Sequence, residues 1–124
     1  MSDGVRIDTS ARLAIIEGAG LAVATIVEGL EREELLRSRL TRAEVTDQLR
    51  RIANAAAGLA PAMRDAMREI DWDGWRLMCE RLALAPSDAL DEALWFGCES
   101  LVPATLLWLR VHRQSHGALF RMTD

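Results

Sequence analysis

The stretch Thr41-Arg-Ala-Glu-Val-Thr-Asp-Gln-Leu-Arg-Arg-Ile-Ala-Asn-Ala-Ala-Ala57-Gly-Leu-Ala-Pro61 decides the fold. Val45, Leu49, Ile52, Ala56 and Leu59 advance by four and three residues, which collects them on one stripe of an α-helix and scatters them over both faces of a strand. Thr41 with Glu44 three positions on reads as a capping box, hydroxyl and carboxylate each satisfying a backbone donor that the first turn leaves without a partner. Gly58 and Pro61 end the pattern. The segment is therefore an amphipathic helix with its own start and stop, and it needs other helices to cover its apolar stripe.

Those helices are legible on both sides. Upstream, Leu13, Ile16, Gly20, Val23, Val27 and Leu30 repeat the three-and-four spacing, predicting a first helix from near Ala11 that Thr9 or Ser10 caps. Residues 1–10 have no periodicity and read as a flexible tail. Glu31 to Leu40 is a charged connector with room for a short helical turn. Downstream, Pro61 suits the first turn of a short helix through Met67, and Ile70-Asp-Trp-Asp73 launches another with an Asp at its N-cap. On that helix Trp72, Trp75, Met78 or Cys79, and Leu82 face one way. Pro86-Ser87-Asp88 caps a last helix carrying Leu90, Leu94, Cys98, Leu101, Thr105, Trp108 and Val111, kinked at Pro103. The expectation is an all-α protein, an antiparallel four- to five-helix bundle occupying residues 11–124 as one domain.

Composition agrees and narrows the function classes. Of 124 residues, 50% are hydrophobic and 27% charged, which fits a packed domain and excludes a disordered one. Gly and Pro are scarce, 8 and 3, so little opposes helix. A net charge of −4 gives no electrostatic reason for sequence-independent binding to nucleic acid. All 15 cationic side chains are Arg, and there is no Tyr. Two cysteines do not make a disulfide framework, and no signal peptide is read at the start, so a reducing cytoplasm is expected. The longest apolar run, Leu101 to Leu109, is broken by Pro103 and far below the ~20 residues that span a bilayer, so no membrane role is expected.

The chemical motifs each have a plainer reading. Gly18-Ala-Gly20 lies inside a helical stripe with no strand before it, so small residues there admit a neighbouring helix instead of a phosphate. Asp71-Trp-Asp73-Gly74 lacks the remaining ligands of a calcium loop and suits a helix cap. His112 and His116 are one turn apart with Arg110 and Arg113 beside them, a spacing that chelates metals when a third ligand is present. None is evident, and basic residues ahead of a C-capping Gly117 complement the exposed carbonyls of a helix end. Cys79 and Cys98 read as small core hydrophobes. The four tryptophans read mainly as core, with Trp72, Trp75 and Trp95 kept as interface candidates. No cofactor site is expected.

The order and spacing of several segments resemble the HepT-like branch of the HEPN superfamily. They are Leu40-Thr-Arg-Ala-Glu-Val-Thr-Asp-Gln-Leu-Arg-Arg-Ile52, Ala57-Gly-Leu-Ala-Pro61 and Glu69-Ile-Asp-Trp72, with Val27-Glu-Gly-Leu30 before them and Leu94-Trp95 and Leu101-Val-Pro103 after. The resemblance covers about residues 11 to 110 and implies a HEPN-like helical bundle, usually dimeric, from toxin–antitoxin pairs. Active members carry Arg-x4-His-x-Tyr on the helix after an Ile-Pro-Trp signature. Counted from Ile70-Asp-Trp72, those positions are Cys79, Leu84 and Pro86.

The replacements remove the chemistry that the resemblance implies. Metal-independent RNA cleavage needs a group of near-neutral pKa to move the 2′-hydroxyl proton and a fixed cation for charge developing on phosphate. Leu84 transfers no proton and Cys79 carries no permanent positive charge. In the paired systems a nucleotidyltransferase silences the toxin by adenylylating the motif Tyr, which has no counterpart here. The expected function is a degenerate, non-catalytic domain that associates with a second copy, a nucleotidyltransferase-type protein or another HEPN protein. The alternatives are an active ribonuclease toxin with a site relocated to Arg110, His112 and His116, and a small-ligand or nucleotide-binding helical module.

Overall fold

Asp3–Val27 form α1, Arg32–Arg37 α2, Arg39–Ala57 α3, Pro61–Ala66 α4, Trp72–Leu82 α5, Asp88–Phe96 α6 and Val102–Ser115 α7 in a computed structural model that describes residues 3–120. A π-helical turn, Gly97–Leu101, joins α6 to α7, and a 3-10 turn, Gly117–Phe120, follows α7. No strand occurs among the described residues. The class is all-helical. α1 packs on α3 and α7, α3 on α5, and α5 on α6, so the helices close a ring around one core. Leu13, Ile16, Leu49, Ile52, Trp75, Leu94 and Leu109 are among its largest fully buried side chains.

The sequence periodicity chose the buried stripes well. Leu13, Ile16, Gly20 and Val23 line the inner side of α1, and Val45, Leu49, Ile52 and Ala56 that of α3. α1 nevertheless starts at Asp3, well before the expected Ala11, so residues 3–10 are helix instead of a tail. The buried stripe continues back four residues from Leu13 to Thr9, which is 1% exposed beside Ser10 at 0%. Two small hydroxyl residues disguised the continuation because polar residues carry no apolar periodicity. Residues 1–2 of the expected tail and 121–124 of the expected domain lie outside the described residues.

α1 also corrects the search for a membrane-length segment. Gly4–Val27 is long and apolar enough by length and composition to cross a bilayer, although a third of its most apolar window is buried in the fold. Within it the charges at Arg6, Asp8, Arg12 and Glu17 all precede Gly18 to Val27, an uncharged run of ten residues that is one longer than Leu101 to Leu109.

Helix ends follow local chemistry. Gly29, at φ +77°, turns the chain out of α1 through a left-handed conformation that other L residues rarely adopt. The cap of α3 is Ser38, whose Oγ accepts from the Thr41 N–H at 3.3 Å, so the helix begins three residues ahead of the expected Thr41 box. Ser38 holds an extended backbone, which frees its hydroxyl to face the first turn. Glu44 instead accepts from the Gln48 amide at 2.8 Å. Asp71 and Ser87 cap α5 and α6 as expected, accepting from Gly74 and Leu90.

The bend around Pro103 takes a different form from the expected kinked single helix. Pro103 lacks an N–H and opposes the preceding turn sterically, and that turn widens into the π segment Gly97–Leu101. Gly97 makes the wider turn fit: a Cβ there would stand 3.0 Å from both Leu49 Cδ1 and Met78 Cε. At the other end of α6, Asp91 in its first turn pairs with Arg42 on α3.

Candidate functional site

The three positions where the family resemblance puts catalytic groups lie on one exposed stretch of chain. Cys79 is on the outer side of α5, with Sγ 4.0 Å from the Asn54 amide oxygen on α3. Leu84 and Pro86 stand exposed in the connection to α6. The expectation that Cys79 is a core residue is thus corrected. Met78 takes the inward position, because Trp75, Met78 and Leu82 step by three and four while Cys79 falls 100° to one side. Cys98 is buried as expected, and burial raises its thiol pKa to about 12, leaving it protonated and inert.

Beside Cys79 runs a groove of about 450 Å³. Ala53, Ala56 and Ala57 of α3 form its floor because small side chains leave depth between two helices. Trp72 forms one wall, its indole N–H donating to the carbonyls of Met67 and Arg64 at 3.0 and 3.2 Å, which fixes the ring's plane. Arg64 and Arg76 edge the groove with Asp73 and Glu80. Arg76 is shared between those two carboxylates, 4.0 Å from Asp73 and 3.5 Å from Glu80. Sequence reasoning missed this groove, since its floor depends on which alanines of α3 face α5.

The fallback triad is not assembled. His112 is 6% exposed and its Nε2 stands 2.9 Å from Glu69 Oε1. Its Nδ1 is buried without a hydrogen-bond partner among the described residues. The His116 ring stacks on it at 5.6 Å and 17°, while the His116 N–H closes the helix end on the His112 carbonyl. Arg110 is exposed and, two residues before His112, projects about 200° around the helix axis from it. Arg113 instead ties α7 to α1 by a 2.5 Å ion pair with Glu17 and lies 5.1 Å over the Phe120 ring. No cluster of three or more His, Cys, Asp or Glu suited to a metal ion occurs among the described residues.

The interface candidates divide. Trp75 is 0% exposed and its indole N–H donates to Thr105 Oγ1 at 3.0 Å, which makes it a core residue. Trp72 and Trp95 are half-buried. Neither is a fully presented anchor.

Glu69 gives the His112 contact a pH signature. Its carboxyl is held below the ordinary 4.5 by its own backbone N–H first and by the His112 hydrogen bond second. A carboxyl depressed in the folded state contributes stability above its unfolded pKa and loses it as pH falls through the lowered value. Thermal melts from roughly pH 7 down to pH 3 are expected to show acid destabilisation, and Glu69→Gln is expected to flatten it. An unchanged acid limb in that variant would remove Glu69 from the account.

The fold and these surfaces define an all-helical bundle with an alanine-floored groove and a histidine-latched helix end. The chain matches no family model, no curated protein and no solved structure.

Proposed function

We propose that the chain is a catalytically degenerate HepT-like HEPN domain that acts by protein association, within or derived from a toxin–antitoxin pair. Its partner on this reading is a second copy, a nucleotidyltransferase-type protein or another HEPN protein, met in the cytoplasm. The observation that carries the reading is the exposed trio Cys79, Leu84 and Pro86 at the positions where the resemblance implies Arg, His and Tyr. Such surface positions are under little packing constraint, so their side chains are free to be chosen for chemistry, and these three supply neither a near-neutral proton carrier nor a fixed cation.

The relocated ribonuclease gains no support from geometry. His112 is engaged by Glu69, and Arg110 points away from it. Incubating the purified protein with structured and total RNA at neutral pH, with and without divalent cations, is expected to yield no new fragments. Expression in a bacterial host is expected to be tolerated. Cleavage that disappears with Arg110→Ala or His116→Ala would overturn the proposal.

A further inference from the structure

Alanines, an indole and one unpaired guanidinium meet in the groove between α3 and α5. Ala53 and Ala56 are buried and Ala57 is exposed, so an apolar floor runs from the interior to the surface. Trp72 stands against it with its N–H held by two carbonyls, and a ring already fixed in place loses little freedom when a ligand settles beside it. The space of about 450 Å³ falls in the lower part of the range of small-ligand pockets, roughly 300–1,000 Å³. Between a smooth floor and an indole a flat body fits best, because an aromatic ring set edge-on or offset against an indole gains more than its buried area alone supplies.

The charged groups of the groove are not equivalent. Asp73, Arg76 and Glu80 are 94%, 67% and 63% exposed and share one set of ion pairs in contact with water. They ask for no further partner. Arg64 differs from them. It is half-buried, it edges both the groove and a neighbouring hollow of about 500 Å³, and no acceptor reaches its guanidinium among the described residues. A cation partly withdrawn from water without a partner is unfavourable, and an anion entering the groove relieves it. A carboxylate brings a single negative charge and takes a forked pair of hydrogen bonds from one Arg. A phosphate monoester brings nearly two charges into the field of Asp73 and Glu80, which have only Arg76 between them, so the rim opposes it.

We propose that this groove binds a small, flat aromatic monocarboxylate, with the ring between the alanine floor and Trp72 and the carboxylate on Arg64. Cys79 lines the same space and adds a soft, polarizable contact. The site stands apart from the association reading, since it needs no partner protein and uses neither Leu84 nor Pro86.

Naphthoate titrated into isotopically labelled protein, followed by heteronuclear NMR, tests the site. The indole N–H of Trp72 and the amides of Ala53, Ala56 and Ala57 are expected to shift with a Kd of about 0.1–1 mM. The indole N–H of Trp75, buried against Thr105, is expected to stay in place. Arg64→Gln is expected to weaken naphthoate about tenfold and to leave the weaker binding of uncharged naphthamide unchanged. Naphthyl phosphate is expected to bind less tightly than naphthoate. Ala57→Leu fills the groove from an exposed position, so it is expected to abolish binding of all three probes while the rest of the spectrum keeps its folded dispersion. It decides the matter even if Arg64→Gln disturbs the fold. Absence of shifts up to about 5 mM naphthoate, shifts confined to another surface, or naphthoate binding indifferent to Arg64→Gln would overturn the inference. Tighter binding of the phosphate than of the carboxylate would overturn it as well. RNA cleavage would sink the association reading without touching this site.

Discussion

Replacing Trp75 by alanine is expected to lower the unfolding free energy by about 3–5 kcal/mol, read from urea denaturation followed by far-UV circular dichroism. Trp75 is 0% exposed and lies where α5, α3 and the α6–α7 segment converge, so truncation opens a cavity that no exposed side chain can fill. A polar loss accompanies the apolar one. The Thr105 hydroxyl accepts the indole N–H and donates to the Leu101 carbonyl at 2.7 Å, so the Trp75 contact fastens the core of α5 to the first turn of α7 just beyond the π segment. A typical domain has only ~5–15 kcal/mol in total, so this variant is expected to melt far below the wild type and to populate unfolded chain at ambient temperature.

Thr105→Val separates the two contributions. Its shape is nearly conserved, but the indole N–H is left buried without an acceptor, a penalty of about 1–3 kcal/mol. Trp75→Phe keeps much of the ring and removes the donor, so it is expected to fall between the other two. A Trp75→Ala cost below about 1 kcal/mol would mean that the site collapses freely and that the core is not organised around this ring.

The parts of the fold legible in the sequence were those written in apolar spacing. The inner sides of α1, α3 and α5 were readable because burial there selects Leu, Ile, Val and Trp at three-and-four intervals. The caps at Asp71 and Ser87 were readable because one side chain satisfies one backbone donor nearby. The first turns of α1 were not, since Thr9 and Ser10 are buried but polar. The start of α3 was misplaced because Ser38 and Thr41 are both good caps, and the choice between them rests on an extended backbone at Ser38. At the candidate site, the identities of Cys79, Leu84 and Pro86 were visible, but the exposure of Cys79 was not. Neighbouring Met78 and Cys79 are both plausible core residues, and only the helix's rotation against α3 decides between them. The Glu69–His112 contact spans 43 positions and has no local signature.

The π turn offers the second large effect, best measured as a cycle. Gly97→Ala is expected to cost about 1–3 kcal/mol, because the added methyl would stand 3.0 Å from both Leu49 Cδ1 and Met78 Cε in a segment pinned by Pro103. Leu49→Ala alone is expected to cost about 2–5 kcal/mol, since Leu49 is fully buried. The two changes act on one volume with opposite sign. In the double variant the methyl at position 97 occupies space that Leu49 vacates, so the combined cost is expected to fall short of the sum by about 0.5–3 kcal/mol. Met78 gives the control: its unbranched side chain adapts more easily than Leu49, so coupling of Gly97→Ala to Met78→Ala is expected to be smaller. No coupling to either residue would mean that the π turn and not its neighbours absorbs the methyl. Glycine at position 97 would then serve the backbone of the wide turn, and the contact with α3 would be incidental.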